Sequence, residues 1–207
     1  MRAVSMAPET GGQAVMGFWE PPCLETARLI LTWPTETQIE GFYDDIIGTD
    51  MFDTIVWDGP GCVEDLHAWW AGNRAIDPAD PALPFSVAMI EKRSGVCVGG
   101  AGLSPKAEDP TTVTVSYTIA PMAQGRGFAT ETVQGLVDEA FTHRGVQRIL
   151  GPVFVGNGAS RRVLEKAGFQ FDGTTPNALA KRGVSIDLWN LSLARESWEE
   201  SLRARRG

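Results

Sequence analysis

Residues 124–131 read QGRGFATE, in which three small residues, Gly125, Gly127 and Ala129, surround an arginine. Just upstream, TTVTVSYTIA at 111–120 is rich in β-branched residues and predicts a strand. Downstream, TETVQGLVDEAFTHRG sets Val133, Leu136, Val137, Ala140 and Phe141 at helical spacing and stops at Gly145. A strand that passes through bare backbone into a helix leaves several main-chain N–H groups pointing one way, at the positive end of the helix dipole. Such an arrangement binds anions. The spacing fits neither GxxxxGK[ST] nor GxGxxG with an acidic residue about 20 positions on, so neither a P-loop nor a dinucleotide fingerprint is present. Taken alone, the stretch reads first as a tight turn with no ligand.

Working outward, TARLILTW from Thr26 alternates as a strand. Thr35 with Gln38 three residues on forms a capping-box signature for a helix to about Ile47. A second helix spans roughly Val63 to Arg74. FSVAMIEK and SGVCVGGAGLS read as an antiparallel hairpin across Ser94-Gly95. VQRILGPVFV is a strand, ASRRVLEKAGF a short helix ended by Gly168, and SIDLWNLSL a final strand. A hairpin-built sheet with helices interposed late is an α+β or mixed-sheet α/β domain.

The 207 residues suit one domain. Residues 1–22 mix Gly, Pro and small polar residues and read as an N-terminal extension, 23–200 as the folded body and 201–207 as a basic tail. The composition is 43% hydrophobic and 21% charged, with no long apolar run and no leader-like start, which predicts a soluble, cytoplasmic protein with no membrane partner. A net charge of -8 argues against nucleic acid as a partner and favours small cationic or amine-bearing ones. Cys23, Cys62 and Cys97 read as reduced structural thiols. The two histidines lack ligand spacing, so no metal site is expected.

Gln124, Gly127 and Ala129 fill the pattern Q/R-x-x-G-x-G/A, so the loop resembles the pyrophosphate loop of the GCN5-related N-acetyltransferase (GNAT) superfamily. NGASRRVLEKAGF resembles that family's N-x-x-[AS]-x-x-x-x-x-K-x-G-F segment, with Asn157, Ser160, Lys166, Gly168 and Phe169 in register. ETARLIL, SYTIAPMAQGRGFATE and Asp187 before the last strand are similar to the ribosomal-protein N-terminal acetyltransferase (RimJ/RimL) branch. The resemblance covers about residues 24–199. It implies a GNAT fold: a mixed, mostly antiparallel sheet with a central splay and helices on both faces.

The resemblance also implies acetyl-CoA as donor. Its pyrophosphate would be held by the amides of Gly125, Arg126, Gly127, Phe128, Ala129 and Thr130, with the Gln124 and Arg126 side chains flanking. The pantetheine arm would pair along Ser116 to Ala120, where Ile119 and Ala120 touch it and the Ile119 N–H polarises the thioester carbonyl. Asn157, Ser160 and Val163 would meet the arm from the other side. Lys166, with Arg161 and Arg162, either reaches the cofactor's phosphates or belongs to a solvated helix face, while Glu131 reads as structural.

Where many members carry a tyrosine acid seven residues after the asparagine, this chain has Leu164; the resemblance to the RimJ/RimL branch, which uses the serine three residues after the asparagine, implies that Ser160 meets the leaving sulfur. The branch's downstream glutamate base has no counterpart in TTPNALAKRG; Glu108 and Asp109 are candidates by position, with surface-turn duty the stronger reading of each. Phe52, Trp57, Trp69 and Trp70 fall where the family builds its acceptor pocket, although Trp69 and Trp70 read first as helix-packing residues. The implied activity is acetylation of a primary amine, on a peptide or protein N-terminus or a small molecule such as an amine-bearing antibiotic, by direct attack in a ternary complex. The resemblance also allows a homodimer. The competing readings are a non-catalytic acyl-CoA-binding or regulatory module, and a structural domain with no ligand.

Overall fold

The strand before the glycine stretch organises the sheet. In a computed structural model, which describes residues 20–206, the chain runs β1 (Leu24–Glu25), β2 (Leu29–Thr32), α1 (Glu36–Ile46), α2 (Val63–Arg74), β3 (Phe85–Glu91), β4 (Cys97–Lys106) and β5 (Asp109–Ile119). A single 3₁₀ turn, Pro121–Ala123, leads into α3 (Phe128–His143), β6 (Arg148–Phe154), α4 (Gly158–Lys166), β7 (Gln170–Lys181), β8 (Val184–Ala194) and α5 (Arg195–Arg206). The strands form one sheet in the order β1-β2-β3-β4-β5-β6-β8-β7. Of the neighbouring pairs, β5 and β6 alone run parallel.

That parallel pair is short. Its register runs from Thr112 opposite Arg148 to Thr114 opposite Leu150 and then stops, although β5 continues to Ile119 and β6 to Phe154. The sheet therefore opens into a splay at the end of β5 that leads to the glycine stretch. Each strand stays paired on its outer side, β5 with β4 and β6 with β8, so the opening leaves the rest of the sheet intact.

Alternate strand residues feed two cores, one on each face. Leu29, Leu31, Val87, Met89, Val113 and Val115 join α3 and α4 on one side, with Leu136, Phe141 and Leu164 buried there. Ile90, Ala88 and Cys97 join α1 and α2 on the other, with Ile39, Ile46 and Trp70. α1 starts as its sequence predicts: the Thr35 hydroxyl accepts from Gln38 N while Gln38 Oε1 accepts from Thr35 N.

The extension read at 1–22 falls mostly outside the described residues, and Glu20 to Pro22 have no regular structure. Residues 201–206 are not a tail but the end of α5, whose Trp198 lies beside Phe141 (ring centroids 5.3 Å apart) and donates from its indole to Asp138 at 3.0 Å. Of the three cysteines, Cys97 alone is buried, and burial pushes its thiol up to about 11; Cys23 and Cys62 are exposed. One strand, β7, has no counterpart in the sequence reading, because it carries Gly173 and Pro176 and lies at the sheet edge, where proline is tolerated.

Candidate functional site

β5 ends at Ile119, the 3₁₀ turn follows, and the chain enters α3 through Gly125 (φ 72°) and Gly127 (φ 81°). Gly127 is the N-cap of α3, and no side chain caps the helix. Both glycines adopt the left-handed conformation that a residue with a Cβ adopts at a cost of about 1–2 kcal/mol. Among the described residues, the amides of Gly125, Arg126, Gly127, Phe128, Ala129 and Thr130 donate to no protein acceptor, and the first bond into the helix is Glu131 N to Gly127 O. Residues 124–127 are exposed. The loop therefore presents a row of solvent-facing donors at a helix N-terminus, which fits a diphosphate.

Charged side chains brace the loop from behind. Arg28 donates from Nη1 to the Arg126 carbonyl at 2.8 Å and from Nε to Glu131 Oε2 at 2.7 Å, while its main-chain N and the Thr26 hydroxyl both bond Glu131 Oε1. Burial would raise the Glu131 carboxyl, but these bonds from Thr26 and Arg28 outweigh it and hold the group below its ordinary value. The Arg126 side chain folds back to Glu91, and the Arg28 and Arg126 guanidinium groups lie 4.7 and 4.5 Å from the Phe128 ring centre. Expected beside the phosphates, Arg126 thus has a protein carboxylate as its partner. The Phe128 ring is core, so only its amide remains available in the loop.

The splay is the second half of the site. Ala120 N donates to Val98 O across β4, so strand alternation turns the Ile119 N–H the other way, toward the opening. The Ile119 carbonyl accepts from Gln124 Nε2 at 3.3 Å, which draws that side chain back toward β5. Ala120 does not remain a cofactor contact: it is fully buried, and its N–H and C=O are spent on Val98 and Ala123.

On the far wall, Asn157 caps α4 by accepting from Ser160 N at 3.0 Å and donates to Thr54 Oγ1 at 3.1 Å. Its amide is therefore occupied in building the wall. The Ser160 carbonyl accepts from the Tyr117 hydroxyl at 3.0 Å, a bond across the splay from β5 to α4. Burial raises the Tyr117 phenol to about 12, despite that bond, which makes it a strut and a poor acid. The Ser160 hydroxyl takes part in none of the hydrogen bonds within the described residues, and Val163 lies one turn on along the same helix face.

Lys166 is not brought to the loop. It sits at the other end of α4 from Asn157, about 13 Å along the axis, beside a groove of ≈ 250 Å³ that also touches Asp138 and Trp198. Arg161 is committed to Glu165 at 2.8 Å and to the Trp189 and Phe171 rings. Leu164 is core, packed over Gly151.

Neither candidate base reaches the site. Asp109 accepts from the Thr111 and Thr112 hydroxyls at the opposite end of β5 from Ile119, and Glu108 lies in the same turn. Of the four aromatics, Phe52 and Trp70 are core, Trp57 stands edge-on to Phe52, and Trp69 is half-exposed against Trp70. Sequence reading missed the roof of this region. Lys181 and Arg182, at the β7–β8 turn, pair with Asp53 and Asp58 in the α1–α2 connection, and Lys181 donates to the Trp57 carbonyl. No local pattern signals these pairs, since more than 120 residues separate the partners.

Comparison with known proteins agrees with this geometry. Residues 28–170 match the acetyltransferase (GNAT) domain. The uncharacterized N-acetyltransferase YoaA of Bacillus subtilis is 25% identical over 166 residues, spanning 80% of this chain and 93% of the relative. The uncharacterized N-acetyltransferase C18E5.08 of Schizosaccharomyces pombe is 34% identical over 112 residues, 52% of this chain and 59% of that one. Among solved structures, a GNAT-family acetyltransferase from Bacillus anthracis superposes with a TM-score of 0.73 at 18% identity, over 84% of this chain and 99% of its own. RimL, a ribosomal L7/L12 alpha-N-protein acetyltransferase in complex with coenzyme A, superposes with a TM-score of 0.71 at 14% identity, over 84% of this chain and 98% of its own. At these identities the superpositions establish the fold, and the domain match across most of the sequence establishes the family. The chain belongs to the GNAT acetyltransferase family.

Proposed function

We propose that this protein is an acetyl-CoA-dependent N-acetyltransferase that acts in the cytoplasm on a primary amine. The observation that carries the reading is the set of unpartnered amides from Gly125 to Thr130, lying at the mouth of a sheet opened beyond Thr114 and Leu150. An anion-binding helix start alone would bind a phosphate; joined to an opened strand edge, it suits a ligand with a diphosphate at one end and an extended amide-bearing arm at the other.

Bound acetyl-CoA supplies an activated acetyl group on sulfur. The chain's own part is to orient it and to compensate charge. The Gly125–Thr130 amides and the α3 dipole hold the diphosphate. The outer edge of β5, facing the opening, offers Ile119 N–H to the charge that develops on the carbonyl oxygen. The Ser160 hydroxyl, available on the opposite wall, donates to the departing sulfur. A thiol of pKa about 8.5 needs no stronger acid near neutrality.

No carboxylate of the sequence-predicted set stands at the site, and this bears on the acceptor. Holding an α-amino group of pKa about 8 neutral at pH 7 costs about 1.4 kcal/mol, and a lysine of pKa about 10.4 nearer 4.6 kcal/mol. Weakly basic amines, such as a peptide N-terminus or a small amine of similar pKa, are therefore the proposed acceptors. RimL names a protein N-terminus as acceptor, and the microcin C7 self-immunity acetyltransferase MccE, a structural neighbour with a TM-score of 0.69, is described in complex with acetyl-CoA and AMP.

Incubation with acetyl-CoA and a panel of amines, following free thiol, tests the proposal. Turnover should rise about tenfold per pH unit up to the acceptor's own pKa. A second reading, a regulatory acyl-CoA-binding module, draws on Leu164, which is buried core where many relatives place an acid. Tight CoA binding with no thiol release from any amine would select it.

A further inference from the structure

The loop that would grip the diphosphate contains two glycines in left-handed conformation, at 125 and 127. Glycine-flanked peptide units rotate at little cost, so the sequence of the loop alone does not decide which way its central N–H points. The peptide between Arg126 and Gly127 is the unit in question. In a trans peptide the C=O and N–H point in opposite directions. Whatever holds the Arg126 carbonyl therefore aims the Gly127 N–H.

Arg28 holds it. Its Nη1 donates to the Arg126 carbonyl at 2.8 Å, from the β2 side and behind the loop. The guanidinium is itself fixed: Nε bonds Glu131 Oε2 at 2.7 Å, the Arg28 main-chain N bonds Oε1 at 2.7 Å, and the Thr26 hydroxyl bonds Oε1 at 2.6 Å. Glu131 lies in the first turn of α3, so one carboxylate joins the helix to the approach of β2, and one guanidinium joins both to the loop. The planar fork of arginine can satisfy Nε and Nη acceptors at once; a lysine ammonium, a single point on a flexible stem, cannot span them in the same way. A Cβ at Gly127 would lie 3.3 Å from Arg28 Nη2, so the guanidinium also closes the back of the loop.

We propose that Arg28, held by Glu131, is a positioning residue that prevents the Arg126–Gly127 peptide from flipping and so keeps the Gly127 amide presented to the diphosphate. The proposal rests on the donor reading given above, and it gives Arg28 and Glu131, 103 residues apart, one joint task.

The test uses the full chain with Arg28→Gln and Arg28→Lys, measuring melting temperature without ligand, CoA affinity, and kcat and KM for acetyl-CoA. Arg28→Gln should weaken CoA about tenfold or more, the scale of one charge-assisted hydrogen bond to the anion, and raise the acetyl-CoA KM in step while kcat at saturating donor stays within about twofold. Arg28→Lys, which keeps a cation opposite Glu131, should recover the melting temperature but not the affinity. Affinity that follows melting temperature in both variants, or is unchanged in Arg28→Gln, would overturn the proposal. Failure of the unaltered protein to bind CoA would instead sink the donor reading, and this proposal with it.

Discussion

Gly127 and Ser160 carry the most specific commitments. Gly127 has φ 81° and caps α3 with no side chain, so Gly127→Val both strains the backbone and pushes a side chain against the Arg28 guanidinium that braces the loop from behind. CoA at 100 times its dissociation constant should add about 2.7 kcal/mol to stability, and this substitution should erase that gain; a full ligand-induced shift in the variant would count against the loop as the binding site. Ser160→Ala removes a hydroxyl with no partner within the described protein, so it should leave the fold intact and lower kcat roughly tenfold or more, with little change in the acetyl-CoA KM. An unaltered kcat would remove Ser160 from the chemistry. Both residues were legible in the sequence because their motifs fix residue type and spacing. The role of Asn157 was less so: its amide caps α4 and ties down Thr54, contacts that only the folded α1–α2 connection supplies.

Among the elements, the long periodic ones follow from the sequence. α2 spans Val63–Arg74, the span its spacing predicts, and the β3–β4 hairpin turns where Ser94-Gly95 stands. β7 and α5 do not. β7 contains Pro176 and Gly173 and is mostly exposed, so it lacks the apolar alternation of a half-buried strand; pairing with β8 creates it. α5 follows β8 with no intervening loop, and its charged run RESWEESLRARR has a single large apolar anchor besides Leu202. That anchor is Trp198, half-buried against Phe141 and bonded to Asp138. Trp198→Ala should cost about 2 kcal/mol or more, at the lower end for a tryptophan that is not fully buried, read as a lower urea midpoint. An unchanged midpoint would mean that α5 adds nothing to the core. The splay was foreseen from the resemblance and not from pattern, because register between β5 and β6 is a property of two strands with α3 between them.

For the whole molecule, the braces around the loop tie catalysis to acid stability. Glu131 is held below its ordinary 4.5 because bonds from Thr26 and Arg28 outweigh its burial, and Glu91 is lowered chiefly by the Ser94 hydroxyl and, after burial's opposing effect, by Arg126. A carboxylate lowered by folding contributes stability above its unfolded value, and loses it as pH falls through the folded one. Melting temperature should therefore drop as pH is lowered below about 4.5, and Glu131→Gln should be less stable at neutral pH with a flatter acid limb. An acid limb of unchanged slope in that variant would contradict the brace.

In the proposed function, main-chain amides between residues 125 and 130 grip the donor's diphosphate. Titrating CoA into ¹⁵N-labelled protein observes those amides directly. Large shifts are expected at Gly125 to Thr130 and at Ile119, saturating together with one affinity. Saturable CoA binding that leaves the Gly125–Thr130 resonances where they were would contradict it.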